Sequence, residues 1–286
     1  MRLKAYAKIN LSLRVFETRP DGFHRIESLM QSISLCDYVT LTPIASGIEV
    51  TCSDPNVPLG SKNIAYKAAE KFLQRQKIEN RKWKIGVRIH IEKHIPMAAG
   101  LAGGSADAAA VLYGLNQLSI VDYRFSTIDL IKLAAEVGSD VPFCLTGGTC
   151  LVEGRGEILT SQEPWQQTHF VLVCPEFQVA TKWAYDVFDE MTNDKLQMTN
   201  EGIANDLEPV VASKFEEVID IKERLLKLGC ICAQMSGSGS SVFGIIGHED
   251  KAKAQAQAED ILDKIIADYP RSFVVQSKNT GIEIEP

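Results

Sequence analysis

Two short stretches carry residue types that could do chemistry. The first is PMAAGLAGGSADAAA, Pro96 to Ala110, in which glycines and alanines crowd the point where a helix has to begin. The first turn of a helix has unpaired N–H groups, and the macrodipole adds positive potential there. Residues without bulky side chains let an anion such as phosphate approach that backbone. Gly100, Gly103 and Gly104 can also take the positive φ that a nest of converging N–H groups requires. The other reading is a plain loop ahead of an Ala-rich helix packed closely on a sheet. Neither G-x-x-x-x-G-K-[ST] nor G-x-G-x-x-G is present. The second stretch is GSDVPF, Gly138 to Phe143. Asp140 either caps a short helix begun at Val141-Pro142 or serves as a general base toward a hydroxyl.

Other polar residues fall in suggestive places. In AKINLSL, Lys8 and Asn10 share one side of an alternating strand, where Lys8 is either a solvated lysine or an active-site cation. Phe23-His24 follows the turn signal Pro20-Asp21-Gly22; it is either packing with a surface histidine or a stacking pair for a flat ligand. Thr181 and Tyr185 lie four apart on a predicted helix and hence on one face, as a cap and a core residue or as pocket lining. Asn63 opens another predicted helix.

These residues need elements to position them. Alternation predicts strands over the first sixteen residues, with Ile9, Leu11, Leu13 and Val15 on one side and Lys8, Asn10, Ser12 and Arg14 on the other. Further strands are expected at SLMQSISL, DYVTLTPI, GIEVTC and WKIGVRIHIEKHIP. Helices are expected at Asn63–Gln76, Gly104–Leu118 and, opened by the capping box Ser126–Asp129, up to Gly138. EGRGE reads as a hairpin. The polar run beginning near Ser161 marks a boundary, giving expected domains 1–160 and 161–286. The second half reads strand, helices, a glycine turn between two strands, a helix over Asp250–Ala267 and a last strand, an α+β pattern.

The 286 residues suit two cores or one large unit. A net charge of −7 without a basic patch argues against a nucleic-acid binder. Seven cysteines without zinc spacing read as free thiols in a reducing compartment. No leader pattern or membrane-length apolar run appears, so the expected location is cytoplasmic.

The pattern Pro-x-x-x-Gly-Leu-x-Gly-Gly-Ser-x-Asp-Ala-Ala strongly resembles the phosphate loop of the GHMP kinases, with Ala98, Ala99 and Ala102 where many members have glycine. Ala7–Leu13 looks like that family's first motif and Met235–Gly244 like its third. AKINLSLRVFETRPDGFHRIES, with Arg19, Asp21, Gly22, Phe23, His24 and Ser28, is similar to the branch that phosphorylates the 2-hydroxyl of 4-diphosphocytidyl-2-C-methyl-D-erythritol in non-mevalonate isoprenoid synthesis. LGSDVPF, EGRGEILT and NDLE match as well, and the resemblance covers essentially the whole chain.

The resemblance implies a two-domain α+β GHMP kinase fold with its active site in the interdomain cleft. It implies ATP bound by Pro96, Met97, Ala98, Ala99, Gly100, Leu101, Ala102, Gly103, Gly104, Ser105 and Ala106, with Asn63 near the adenine and Gly237–Gly239 closing over phosphates or substrate. Asp140 becomes the base and Lys8 the cation beside it that holds the nucleophilic oxygen. Asn10 would bond substrate, Phe23 and His24 would bracket the cytosine, Tyr185 would cover its other side, and Thr181 would line the pocket. Mg²⁺ is implied by ATP, with Ser105 as a candidate ligand and no carboxylate cage in the sequence. The partners expected are small molecules, with neither nucleic acid nor membrane.

Overall fold

A computed structural model describes residues 1–78, 86–118, 124–165, 168–193, 204–248 and 250–286. The chain runs β1 (Arg2–Asn10), β2 (Arg14–Thr18), β3 (His24–Ile44), β4 (Ile48–Cys52), a 3₁₀ turn at Gly60–Lys62, α1 (Ile64–Ile78), β5 (Gly86–Glu92) and α2 (Gly103–Leu118). It continues through α3 (Thr127–Val137), α4 (Val141–Thr146), β6 (Thr149–Gly154), β7 (Ile158–Ser161), β8 (His169–Val173) and α5 (Thr181–Asn193). It ends with α6 (Glu208–Ala212), α7 (Glu217–Lys227), β9 (Cys232–Met235), β10 (Val242–Ile245), α8 (Lys251–Ile265), β11 (Ser272–Lys278) and β12 (Ile282–Ile284). The beginning of the expected strand before β5, residues 83–85, lies outside the described residues.

SLMQSISL and DYVTLTPI, expected as two strands, are parts of one. β3 runs unbroken for 21 residues because no Gly or Pro interrupts it before Pro43, near its end. It is the spine of the molecule. It pairs with β2 and β6 at one end, β11 in the middle and β5 at the other end, while β1 lies along much of it. The central path is β12-β1-β3-β11-β8-β10-β9.

The Ala-rich helix α2 is buried over most of its length, from Ala106 through Leu112 and beyond. A Cβ at Gly114 would lie 2.4 Å from Leu41 Cδ1 and 2.7 Å from Leu3 Cδ1, so the side chains of β1 and β3 press directly on the α2 backbone there. The packing reading of this segment is therefore correct for the body of the helix, and its N-terminus is left for other work. Ser126 caps α3 as expected, its Oγ accepting the Asp129 N–H at 3.1 Å.

Two apolar cores form, and the chain does not divide between them at residue 160. Leu13, Val15 and Ile26 pack with Val171, Val173 and the helices of the second half. Phe170, Leu172, Phe243 and Val275 pack with the first half. β12 returns to pair with β1. The run Ile9, Leu11, Leu13, Val15 is one apolar series in sequence, yet its first two members enter one core and its last two the other.

Candidate active site

The β1–β3 register breaks between Tyr6 and Lys8. A bulge of this kind re-aims side chains and often lies beside a functional site. Here the Lys8 N–H leaves the ladder and donates to the Leu101 carbonyl at 3.1 Å. Lys8 and Asn10 are 4% and 2% exposed, so the expected polar face of β1 is as buried as its apolar face. Lys8 Nζ donates to Asn10 Oδ1 at 2.6 Å and to the Gly100 carbonyl at 3.0 Å, and Asn10 Nδ2 donates to Ser28 Oγ at 2.7 Å. Asn10, expected as a ligand contact, has its amide engaged at both ends by protein and steers Lys8.

The Gly/Ala loop wraps the start of α2. Gly100 has φ +75°, and Ala98 and Ala102 have +52° and +56°. Those are left-handed conformations, in which glycine carries no strain at either alanine position. An L-residue held there costs about 1–2 kcal/mol. Gly100 is also pressed against the glycine turn between β9 and β10, where a Cβ would fall 2.1 Å from the Ser236 carbonyl oxygen. Gly100→Ala is therefore expected to lower stability by about 2–4 kcal/mol, combining left-handed strain with backbone overpacking. Denaturant unfolding measures this, and unchanged stability would contradict the close approach.

Asp140 stands at the N-cap position of α4, but its side chain makes no capping hydrogen bond. Its carboxylate lines the cavity, and its Oδ2 lies 3.9 Å from Lys8 Nζ. That separation exceeds a direct hydrogen bond. It leaves room for an oxygen within reach of both groups.

Beneath the loop lies a buried charge cluster that the pattern analysis missed. Lys93 Nζ donates to Asp37 and, at 2.9 Å, to Asp107 Oδ2. Asp37 Oδ1 accepts the N–H groups of His94 at 2.6 Å and Ile95 at 2.9 Å, pinning the chain just before Pro96. Burial, and then the neighbouring Asp37 charge, push the Asp107 carboxyl well above the usual carboxylate range despite Lys93. Burial opposes the Lys93 charge, but Asp107, once ionised, and Asp37 outweigh it and raise the ammonium. Asp107 thus holds its proton in the native state at pH values where the unfolded chain has released it. Native stability then falls as pH rises from the ordinary carboxylate range toward the raised value, by at most about 1.4 kcal/mol per pH unit. Asp107→Asn is expected to remove that slope. Unfolding of both proteins from pH 5 to 8 tests it, and parallel curves would refute it.

At the far end, the turn before β3 is held by Asp21, whose Oδ1 accepts the Phe23 N–H at 3.2 Å and whose carboxylate pairs with Arg19. Phe23 is 47% exposed, a large apolar ring at the cavity wall with the Arg155 guanidinium 5.3 Å from its centroid. His24 stacks directly on Tyr185, with ring centroids 5.0 Å apart and planes at 28°. A ring inserted between them would require about 7 Å, twice a normal van der Waals contact. His24 and Tyr185 thus meet across the cleft as one stacked wall, with no layer between them. His24 Nε2 is 2.7 Å from Asp189 Oδ1 and 3.2 Å from Thr18 Oγ1. Burial, reinforced by the Asp140 charge, raises the Tyr185 hydroxyl. Thr181 Oγ1 lies 3.1 Å from Ser238 Oγ in the glycine turn.

The phosphate loop, Lys8, Asp140 and the aromatic wall face one cavity of about 1170 Å³. Sites for a single small ligand occupy roughly 300–1,000 Å³, so this one has space for two. Pro96 to Ser105 line it, together with Lys8, Asn10, Phe23, His24, Asp140, Thr181 and Tyr185. Two expected residues do not. Ala106 is fully buried behind the loop. Asn63 turns inward, its Nδ2 donating to the Pro58 carbonyl at 2.8 Å and its Oδ1 accepting the Ala65 N–H at 2.8 Å; its neighbour Ile64 reaches the cavity instead. Asn63 is thus correctly placed at a helix start but acts as its cap. Lys93, Arg155 and Asp189 line the cavity and were not anticipated, whereas Ser238 lies in the expected Gly237–Gly239 turn. Arg155 lies within the matched run EGRGEILT, which was the one available signal for it.

A glycine loop at a helix start, a lysine–aspartate pair beside it and a glycine turn from the second half closing on the loop form the architecture of a small-molecule kinase of the GHMP class. The description "GHMP kinases N terminal domain" matches residues 63–148 and "GHMP kinases C terminal" matches 190–267. The chain is 44% identical over 265 residues to the 4-diphosphocytidyl-2-C-methyl-D-erythritol kinase of Acetivibrio thermocellus, covering 87% of this chain and 91% of that one. It is 40% identical to the kinase of the same name from a Synechococcus strain, over 99% and 96% of the two chains. A crystal structure of 4-(cytidine 5'-diphospho)-2C-methyl-D-erythritol kinase superposes with a TM-score of 0.75 at 32% identity, covering 97% of this chain and 99% of that one. The homoserine kinase of Cytophaga hutchinsonii, at 21% identity and a TM-score of 0.67 over 100% and 97% of the chains, shares the fold. The chain belongs to the 4-diphosphocytidyl-2-C-methyl-D-erythritol kinase family.

Proposed function

We propose that the chain transfers the γ-phosphoryl group of ATP to the 2-hydroxyl of 4-diphosphocytidyl-2-C-methyl-D-erythritol. The observation that carries this reading is the 3.9 Å gap between Lys8 Nζ and Asp140 Oδ2, set between the phosphate loop and the aromatic wall in one cavity. The triphosphate lies along Pro96–Ser105 against the free N–H groups of the first turn of α2. The alcohol oxygen sits in the gap, where Lys8 donates to it and Asp140 accepts its proton as the new O–P bond forms. Two of the three Lys8 donors are directed at Asn10 and Gly100, which aims the third. The cytosine is received on the exposed face of Phe23, with the His24–Tyr185 stack as the adjoining wall.

Among the described residues no group of three or more His, Cys, Asp or Glu side chains could hold a metal ion. This donor set fits Mg²⁺ bound chiefly by phosphate oxygens and water, with the Ser105 hydroxyl at the cavity wall as protein ligand. When bound, the ion would neutralise phosphate charge. All seven cysteines are free, which supports a cytoplasmic site of action. Among the described residues no helix is long and apolar enough to cross a membrane.

The test is ATP turnover against a panel containing the cytidylyl alcohol, homoserine and mevalonate. Strong preference for the first is expected. Equal rates, or preference for another alcohol, would refute the substrate assignment.

A further inference from the structure

The run NDLE, Asn205 to Glu208, lies outside the three motifs of the site, yet it joins two of them. Its main chain runs beside the segment after β1. Leu13 N–H donates to the Ala204 carbonyl at 2.8 Å, Asp206 N–H donates back to the Leu13 carbonyl at 2.9 Å, and Val15 N–H donates to Asp206 Oδ2 at 2.8 Å. Its side chains reach the glycine turn. Asn205 Nδ2 donates to the Met235 carbonyl at 2.9 Å and the Gly237 carbonyl at 2.8 Å, while Glu208 Oε2 accepts the Met235 N–H at 2.8 Å. Asn205 Oδ1 accepts the Leu207 N–H at 3.0 Å, and the residue is 5% exposed.

The two carbonyls held by Asn205 flank Ser236. Ser236 Oγ accepts the Asn10 N–H at 3.2 Å and donates to the Gly100 carbonyl at 3.0 Å, the same carbonyl that Lys8 Nζ reaches. A Cβ on Gly237 would lie 3.0 Å from Asn10 Oδ1 and 3.2 Å from Lys8 Nζ, so any shift of the turn is felt by the lysine. Both amide protons thus fix the carbonyls on either side of the residue that touches β1 and the phosphate loop.

We propose that Asn205 is a positioning residue for phosphoryl transfer, setting the glycine turn against Lys8 and Gly100. This rests on Lys8 and Asp140 being the catalytic pair. Asn205→Asp keeps the shape and the acceptor but turns both donors into a carboxylate facing two carbonyl oxygens. Displacement on the ångström scale costs about 10²-fold in rate, so kcat should fall by about that factor. Because binding contacts remain, KM for ATP and for the alcohol should stay within about threefold. Burial favours the protonated carboxyl, which regains one donor. Relative to the natural chain at each pH, the variant should therefore recover activity on acidification from about pH 8 to pH 6.

Circular dichroism and thermal melting check the fold. If Asn205→Asp does not fold, Asn205→Ala removes the donors without a buried charge and is read by the same split of kcat from KM. Unchanged kcat overturns the proposal. So does a loss shared by kcat, both KM values and the melting temperature, without acid recovery. Asp140→Asn is assayed alongside: full activity there refutes the catalytic pair, whereas full activity in Asn205→Asp refutes only the positioning role.

Discussion

Replacing Asp140 by asparagine is expected to lower kcat by about 10²–10⁴ with both ligands still bound, because removal of a general base costs that much. The amide keeps the shape of the carboxylate. Asp140 makes no side-chain cap to α4, and its only charged neighbour within salt-bridge distance among the described residues is Lys8 at 3.9 Å. Because Asp140 is the carboxylate nearest the buried Lys8, some loss of stability is expected as well, and thermal melting reads it apart from kcat. Steady-state turnover measures kcat, and calorimetry with ATP and with the alcohol measures binding separately. A near-normal kcat would remove Asp140 from the chemistry.

The second large effect concerns the aromatic wall. Tyr185→Ala removes the ring on which His24 stacks and opens one wall of the cavity that Phe23 also lines. The cytosine on Phe23 would lose the wall that bounds it; the roughly 1–3 kcal/mol that aromatic contact with a base is worth sets the scale, a rise of about 5–150-fold in KM for the alcohol. ATP should bind nearly as before, since its phosphates lie on the Pro96–Ser105 loop. Cytidine monophosphate should compete with the alcohol in the natural chain and weaken by a similar factor in the variant. Equal inhibition of the two proteins, or competition with ATP, would make Tyr185 a packing residue and move the cytosine elsewhere. The direct His24–Tyr185 contact adds a finer expectation: the variant's loss includes the freedom His24 gains once its stacking partner is gone.

The positions of the phosphate loop, the Asp140 turn and the helix starts were legible in the residues because each is a local constraint. Small residues before a helix, Pro after a cap and Ser-x-x-Asp act within one or two turns of chain, and local sequence carries them. Neighbouring residues also indicated that Thr181 and Tyr185 share a face, and both line the cavity. What residue types alone left open were the partners. Asn10 and Asn63 both have the right polarity to touch ligands, but the structure keeps Asn10 at the cavity wall, bonded to Lys8 and Ser28, and turns Asn63 into its own loop. Alternation placed Lys8 on a polar face; the bulge in β1 and the closing of the glycine turn decided that this face would be buried against Gly100 and Ser236. Likewise the Asp37–Lys93–Asp107 cluster and the Asn205 clamp join residues with no common period or motif. Such pairings depend on which strands lie beside which. A hydrogen bond needs placement to within a few tenths of an ångström, and only the packed sheet, with β3 as its spine, supplies that across such separations in the chain.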